Sequence, residues 1–95
     1  MLAMQAPYVP FGELLAAAQG ALLALAAAAQ DAGLPLVATH LFRQRARLGT
    51  TKGAQKARRM VSAAGDAGLA ESLQFEVAVT LAILDTLIER LGVMS

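Results

Sequence analysis

Apolar residues in this chain recur at intervals of three and four positions over most of its length. That spacing collects them on one face of an α-helix, and Gly and Pro residues divide the pattern into four segments. Pro7 and Pro10 should keep the first ten residues extended. We therefore predict an N-terminal arm over 1–10 and a single helical domain over 11–95. Its expected helices lie at about 11–30, 35–48, 52–64 and 69–91.

The predicted fold is all-α, an antiparallel four-helix bundle. It depends on a break in the chain between Gly49 and Gly53. Gly49 should cap the second helix, and Thr50 or Thr51 should accept the first free N–H groups of the third. If this segment does not break the chain, the alternative is a three-helix bundle with a bent second helix.

The fourth predicted helix has an apolar arc that covers more than half of its circumference. A helix of this kind in a small bundle has to bury more than one side, either at a central position or at a dimer interface. We expect a homo-oligomer that forms through the main apolar stripe of this helix. The residues of that stripe are Leu73, Val77, Leu81, Leu84, Ile88 and Leu91.

Charge is divided unevenly along the chain. Of the 8 Lys and Arg residues, all except Arg90 lie within 43–59, and all 7 carboxylates lie outside that segment. A solvated helical face normally mixes both signs, so a segment with a single sign indicates an anionic partner. The residues expected to contact that partner are Arg43, Arg45, Arg47, Lys52, Lys56, Arg58 and Arg59.

The leading hypothesis is a non-enzymatic interaction or assembly module. It would dock an acidic protein surface through the basic hairpin of helices two and three, because opposite charges steer encounter and fix register. The alternative is nucleic-acid binding through phosphate contacts from the same residues, which would weaken steeply with salt. The basic segment lacks aromatic residues for base stacking, and Gln44 and Gln55 occupy positions that a helix-turn-helix would fill with apolar residues.

Catalytic and metal-binding patterns are absent from the sequence. His40 is the only His, there is no Cys, and the carboxylates are dispersed. Hydrolytic triads, zinc-ligand spacings and phosphate-binding Gly loops are missing as well. We therefore expect no enzymatic activity, no metal and no cofactor.

The hydrophobic composition also raises the question of a membrane. The longest uncharged apolar run, 14–29, is shorter than the ~20 residues that a bilayer helix needs. The second apolar stretch contains Glu76 and Asp85, which are costly within a bilayer. A hairpin of two spans around a basic loop would fit the positive-inside rule and stays an alternative. The first residues lack the charged region of a signal peptide, so we expect a cytoplasmic protein.

The run LLALAAAAQDAGLPLVATHLFRQRARLG, residues 22–49, resembles the histidine phosphotransfer domain. That family is a four-helix bundle in which a turn with Asp precedes a helix that carries the phosphorylated His. The resemblance implies that His40 accepts the phosphoryl group, with Arg43 where the family usually has Lys. Thr39 replaces the usual Ala, and Gln44 replaces a Gly that lets the receiver domain approach the imidazole. A histidine phosphotransfer protein that uses His40 is therefore the second alternative.

Overall fold

The computed structural model describes residues 9–66 and 71–94. Within them the chain forms four α-helices and a short 3-10 helix, Arg45–Arg47, that follows the second. The all-α four-helix prediction is confirmed. The three-helix alternative is wrong, because a turn separates the second and third helices. The four helices are α1 (Phe11–Asp31), α2 (Pro35–Gln44), α3 (Thr51–Asp66) and α4 (Glu71–Met94).

Most of the predicted arm, and the predicted start of the fourth helix at 69, lie outside the described residues. Pro10 is described and has extended backbone angles, with φ −57° and ψ 145°. The last helix reaches Met94 instead of 91, and α3 continues to Asp66 instead of 64. The predicted end of the second helix at 48 is wrong by four residues, because α2 ends at Gln44 and a 3-10 helix follows it. The sequence pattern placed the other described helix boundaries within three residues.

The helices run antiparallel around the bundle. The Arg90 guanidinium, near the end of α4, donates to the carbonyl of Val9, just before α1, at 2.8 Å. The Gln74 amide, near the start of α4, donates to the carbonyl of Gly65 at the end of α3, at 3.2 Å. Each helix packs against the helices before and after it, and α4 closes the bundle by packing against α1. The fourth helix is thus covered on two sides.

Leucine and alanine dominate the core. Leu22, Leu25 and Leu84 have no exposed surface, and fully buried alanines lie between them. A small side chain at a helix contact lets two backbones approach closely, so the bundle stays thin. At this chain length a core of this kind buries only about two thirds of the unfolded surface, which makes each large buried side chain important. The fully buried alanines are Ala18, Ala29, Ala54 and Ala57.

The turn between α1 and α2 ends the first helix with a left-handed glycine. Gly33 has φ 81°, and the N–H of Leu34 donates to the carbonyl of Ala29 at 2.9 Å. This bond satisfies a carbonyl group that the helix end leaves free. Pro35 then begins α2, where its missing N–H has no cost. Gly49 does not adopt this left-handed conformation, so its predicted role as a C-terminal cap is wrong. The 3-10 helix ends α2 instead.

In the described part of the chain, α1 is the one helix with the length and apolar composition needed to cross a bilayer. Core helices of globular bundles meet the same two criteria. In this structure Leu14, Leu22 and Leu25 of α1 are buried inside the bundle. The cytoplasmic location stays a prediction.

Candidate functional site: a cationic groove between α2 and α3

A closely packed junction fixes the end of the α2–α3 hairpin at which the two helices are connected. The Gln44 amide is 5% exposed and donates to the carbonyl of Gly53 at 3.0 Å. Gly53 lies so close to the 3-10 helix that a Cβ atom there would be 1.8 Å from the carbonyl oxygen of Arg47. Thr50 caps α3 by accepting the N–H of Gly53 at 3.0 Å, so the predicted threonine cap is correct.

A groove of about 630 Å³ lies between the two helices that this junction joins. Its apolar lining comes from both helices: Leu41 and Ala64 are buried, and Val37 and Met60 are half-buried. Six exposed or polar side chains share the lining with them. We call this surface the cationic groove; its residues are Val37, His40, Leu41, Arg43, Gln44, Arg47, Lys56, Met60, Ala63 and Ala64.

Positive charge lies on both banks of the cationic groove. Arg43 and Arg47 are exposed on the α2 side, and Lys56 is exposed on α3. Within the described residues, none of the three forms a salt bridge with a carboxylate. No Asp or Glu occurs between Asp31 and Asp66, so no acid neighbours them along the chain. The groove therefore combines an apolar lining with uncompensated positive charge.

The other four predicted contact residues lie elsewhere. The Arg45 guanidinium stacks over the ring of Phe42, with its carbon 4.7 Å from the ring centroid. This cation–π contact occupies a side chain that we expected to face a partner. Arg58 donates to the carboxylate of Asp85 on α4, whose hydrogen bond and charge raise the pKa of the arginine. Lys52 and Arg59 are exposed but do not line the cationic groove.

The Arg58–Asp85 ion pair joins α3 to α4. Both side chains remain about half exposed, so water and salt screen the attraction strongly. The pair contributes little to stability, but it removes Arg58 from the set of free cations. It also uses Asp85, which belongs to the acidic side of α4.

His40 opens onto the cationic groove and is exposed. Gln44, one helical turn further along α2, is turned into the α2–α3 junction by its hydrogen bond to Gly53. The sequence contained a signal for this inward position, because Leu41, Gln44 and Leu48 share the spacing of one helical face. The partner of the amide could not be inferred, since Gly53 lies nine residues away.

The predicted oligomer stripe on α4 faces largely into the chain's own bundle. Four of its residues are buried, and Leu81 and Ile88 are half-buried against the core. The exposed large apolar residues of α4 are different ones: Phe75 (75% exposed) and Val79 (39% exposed) in its first half, and Val93 and Met94 at its end. Oligomerisation itself stays a prediction, and the exposed pair Phe75 and Val79 offers a surface for it. The four buried residues are Leu73, Val77, Leu84 and Leu91.

Among the described residues, no group of three or more His, Cys, Asp or Glu side chains is placed to hold a metal ion. A scan against protein-family models, a search of curated proteins and a search of solved structures found no match to this chain. The class is therefore defined by the fold and the groove: a four-helix protein with an apolar groove bordered by cations.

Proposed function

We propose that this protein is a non-enzymatic interaction module that docks an acidic partner protein through the α2–α3 hairpin. The supporting observation is the cationic groove, with Arg43 and Arg47 on one bank and Lys56 on the other. Opposite charges accelerate encounter and fix register, and the apolar lining provides surface to bury. The closely packed junction at Gln44 and Gly53 holds the two banks in a fixed relation.

An acidic protein fits this surface better than a nucleic acid. Nucleic-acid interfaces are more polar than protein interfaces, and their affinity depends mainly on phosphate contacts. A phosphate backbone would leave Val37, Leu41 and Met60 without an apolar partner. A protein segment can satisfy the charges and the apolar lining together.

Two double variants test the docking surface. Arg43 and Lys56 are changed to Gln within the cationic groove; Lys52 and Arg59 are changed to Gln outside it. Each pair removes the same charge from exposed positions. A fluorescent acidic peptide with interspersed leucines is titrated by anisotropy from about 50 to about 500 mM salt. We expect the groove variant to weaken binding about tenfold, because each exposed charge pair contributes up to ~1 kcal/mol.

The control variant should weaken peptide binding much less than the groove variant. Equal losses in the two variants would mean that the groove is not the docking surface. A labelled generic DNA duplex is titrated in parallel. The nucleic-acid alternative is correct if the wild type binds the duplex but not the peptide, and if the groove variant no longer binds the duplex.

The proposal includes self-association through α4. Phe75 and Val79 lie one helical turn apart and are exposed, with the small residues Ala78 and Ala82 near them on the exposed side. A domain of this size gains stability when a second copy covers such a surface.

A second candidate function is phosphotransfer through His40, by the resemblance to histidine phosphotransfer domains. The observation in its favour is the conformation of Gln44, which binds Gly53 and leaves His40 exposed beside Arg43 and Lys56. In such a reaction a phosphoryl group leaves the acyl phosphate of a receiver carboxylate. Its P–O bond breaks, a P–N bond to the imidazole forms, and the imidazole releases its proton. The two cations would stabilise the transferred charge.

The phosphotransfer test uses a receiver domain that carries a radioactive acyl phosphate. We expect an acid-labile label on the wild-type chain and none on His40→Gln, which removes the one imidazole. Arg59→Gln is the matched control, since Arg59 is exposed on α3 but does not line the groove. Labelling that persists in His40→Gln, or a wild-type chain that stays unlabelled, would rule this candidate out.

A further inference from the structure

We infer that the segment recognised by the cationic groove is a short acidic amphipathic α-helix, lying lengthwise between α2 and α3. This inference rests on the proposed docking function and specifies the chemistry of the partner. The occupant would insert an apolar face into the groove and place carboxylates on both of its edges.

The length of the groove matches two turns of helix. Along α2 the lining runs from Val37 to Gln44, about 10 Å at 1.5 Å per residue. Along α3 it runs from Lys56 to Ala64, about 12 Å. Apolar residues at positions i, i+4 and i+7 of an incoming helix span a similar distance. Two or three such side chains therefore fill the groove, and the flexible Met60 side chain can adapt to their shapes.

The cations set the register of the occupant. Arg43 lies in the last turn of α2 and Arg47 ends the 3-10 helix that follows it, and both line the same bank. Two carboxylates one turn apart on the incoming helix would face them. Lys56 lies on the opposite bank and would face a third carboxylate. A helix with acids flanking an apolar stripe on both sides satisfies all three positions.

The walls of the groove favour a helix over an extended segment. Both walls are α-helices, whose backbone N–H and C=O groups are already paired along most of their length. An extended segment lying in the groove would find no sheet edge with which to pair its own backbone. A helix brings its backbone hydrogen bonds with it and presents only side chains.

Three labelled peptides test this inference on the wild-type protein. The first is a helix with a leucine stripe between acidic edges. The second has the same composition in a permuted order that scatters the leucines around the helix. The third has the same charge but serine in place of leucine. We expect the first peptide to bind about tenfold more tightly than the other two and to gain helical circular dichroism on binding.

A groove-filling variant locates the binding site. Ala63 is exposed and lines the groove, so Ala63→Phe blocks it without a change of charge. Ala24→Phe, at an exposed position of α1, is the matched control. We expect Ala63→Phe to weaken binding of the first peptide about tenfold and Ala24→Phe to leave it unchanged. Thermal melts of both variants verify that each is folded.

The outcomes separate this inference from the proposed function. If all three peptides bind equally, with a loss in the Arg43/Lys56→Gln variant, the acidic docking surface is supported and the amphipathic helix is wrong. If the first peptide binds but Ala63→Phe has no effect, the helix does not lie in the groove. If no acidic peptide binds even at low salt, the docking function and the inference both fail.

Discussion

Gly53→Ala is expected to lower the free energy of unfolding by about 2 kcal/mol or more. A Cβ atom at this position would lie 1.8 Å from the carbonyl oxygen of Arg47 and 2.8 Å from its carbonyl carbon. Both atoms belong to backbone, so the clash can be relieved only if α3 moves away from the 3-10 helix. That movement also separates the carbonyl of Gly53 from the buried Gln44 amide, which would lose its partner.

The matched control is Gly20→Ala. Gly20 lies in the interior of α1, and a Cβ atom there would meet nothing within 4 Å. Alanine is favoured over glycine in a helix interior by roughly 0.5–1 kcal/mol, so this variant should be more stable than the wild type. Urea unfolding followed by circular dichroism measures both variants. If Gly53→Ala gains stability as Gly20→Ala does, the close approach of α3 to the 3-10 helix is wrong.

The helix boundaries could be predicted because their causes are local. A left-handed glycine at 33, a proline at 35 and a threonine cap at 50 each act within a few residues of the boundary they set. The junction between α2 and α3 could not be predicted in the same way. It depends on a polar side chain and a missing Cβ that meet only when two helices come together, as Gln44 and Gly53 do.

The candidate site could be predicted only in part. The sequence located the basic residues on the second and third helices. It did not show which of them face the groove, because that depends on how each helix is rotated in the bundle. Arg45 stacks on Phe42, and Arg58 reaches Asp85 on α4, 27 residues away. The apolar lining of the groove could not be separated from the core, because a stripe of apolar residues looks the same whether it is covered or open.

The same ambiguity applies to α4. Its wide apolar arc predicted either a central position or an interface with a second copy. In the structure α1 and α3 both pack against α4, which accounts for most of the arc within one chain. Phe75 and Val79 remain exposed after this packing. The spacing of apolar residues cannot distinguish a core position from an interface position. The fold can, because it shows which of those residues are buried within one chain.

A buried leucine of α4 and an exposed leucine of α2 are therefore expected to differ strongly in how much the same substitution destabilises the chain. Leu84 has no exposed surface, and Leu84→Ala should lower the free energy of unfolding by about 2–5 kcal/mol through lost burial and a residual cavity. Leu36, at 75% exposed, gives the same chemical change on the surface. Leu36→Ala should stay within about 0.5 kcal/mol of the wild type in the same urea titration. A small loss for Leu84→Ala would contradict its position in the core.

Phe75→Glu tests self-association without disturbing the core. Because Phe75 is 75% exposed in the single chain, the substitution should leave the melting temperature of the monomer unchanged. If two copies associate through α4, the added carboxylate must be desolvated at the interface, and light scattering should show the mass falling to that of a monomer. Leu36→Glu is the control, since it adds the same charge on α2 and should leave the mass unchanged. A wild-type chain that is monomeric at high micromolar concentration, or a Phe75→Glu variant that keeps the oligomeric mass, would exclude this interface. Leu84→Glu cannot serve as this test, because a carboxylate in the core would unfold the chain before any interface is probed.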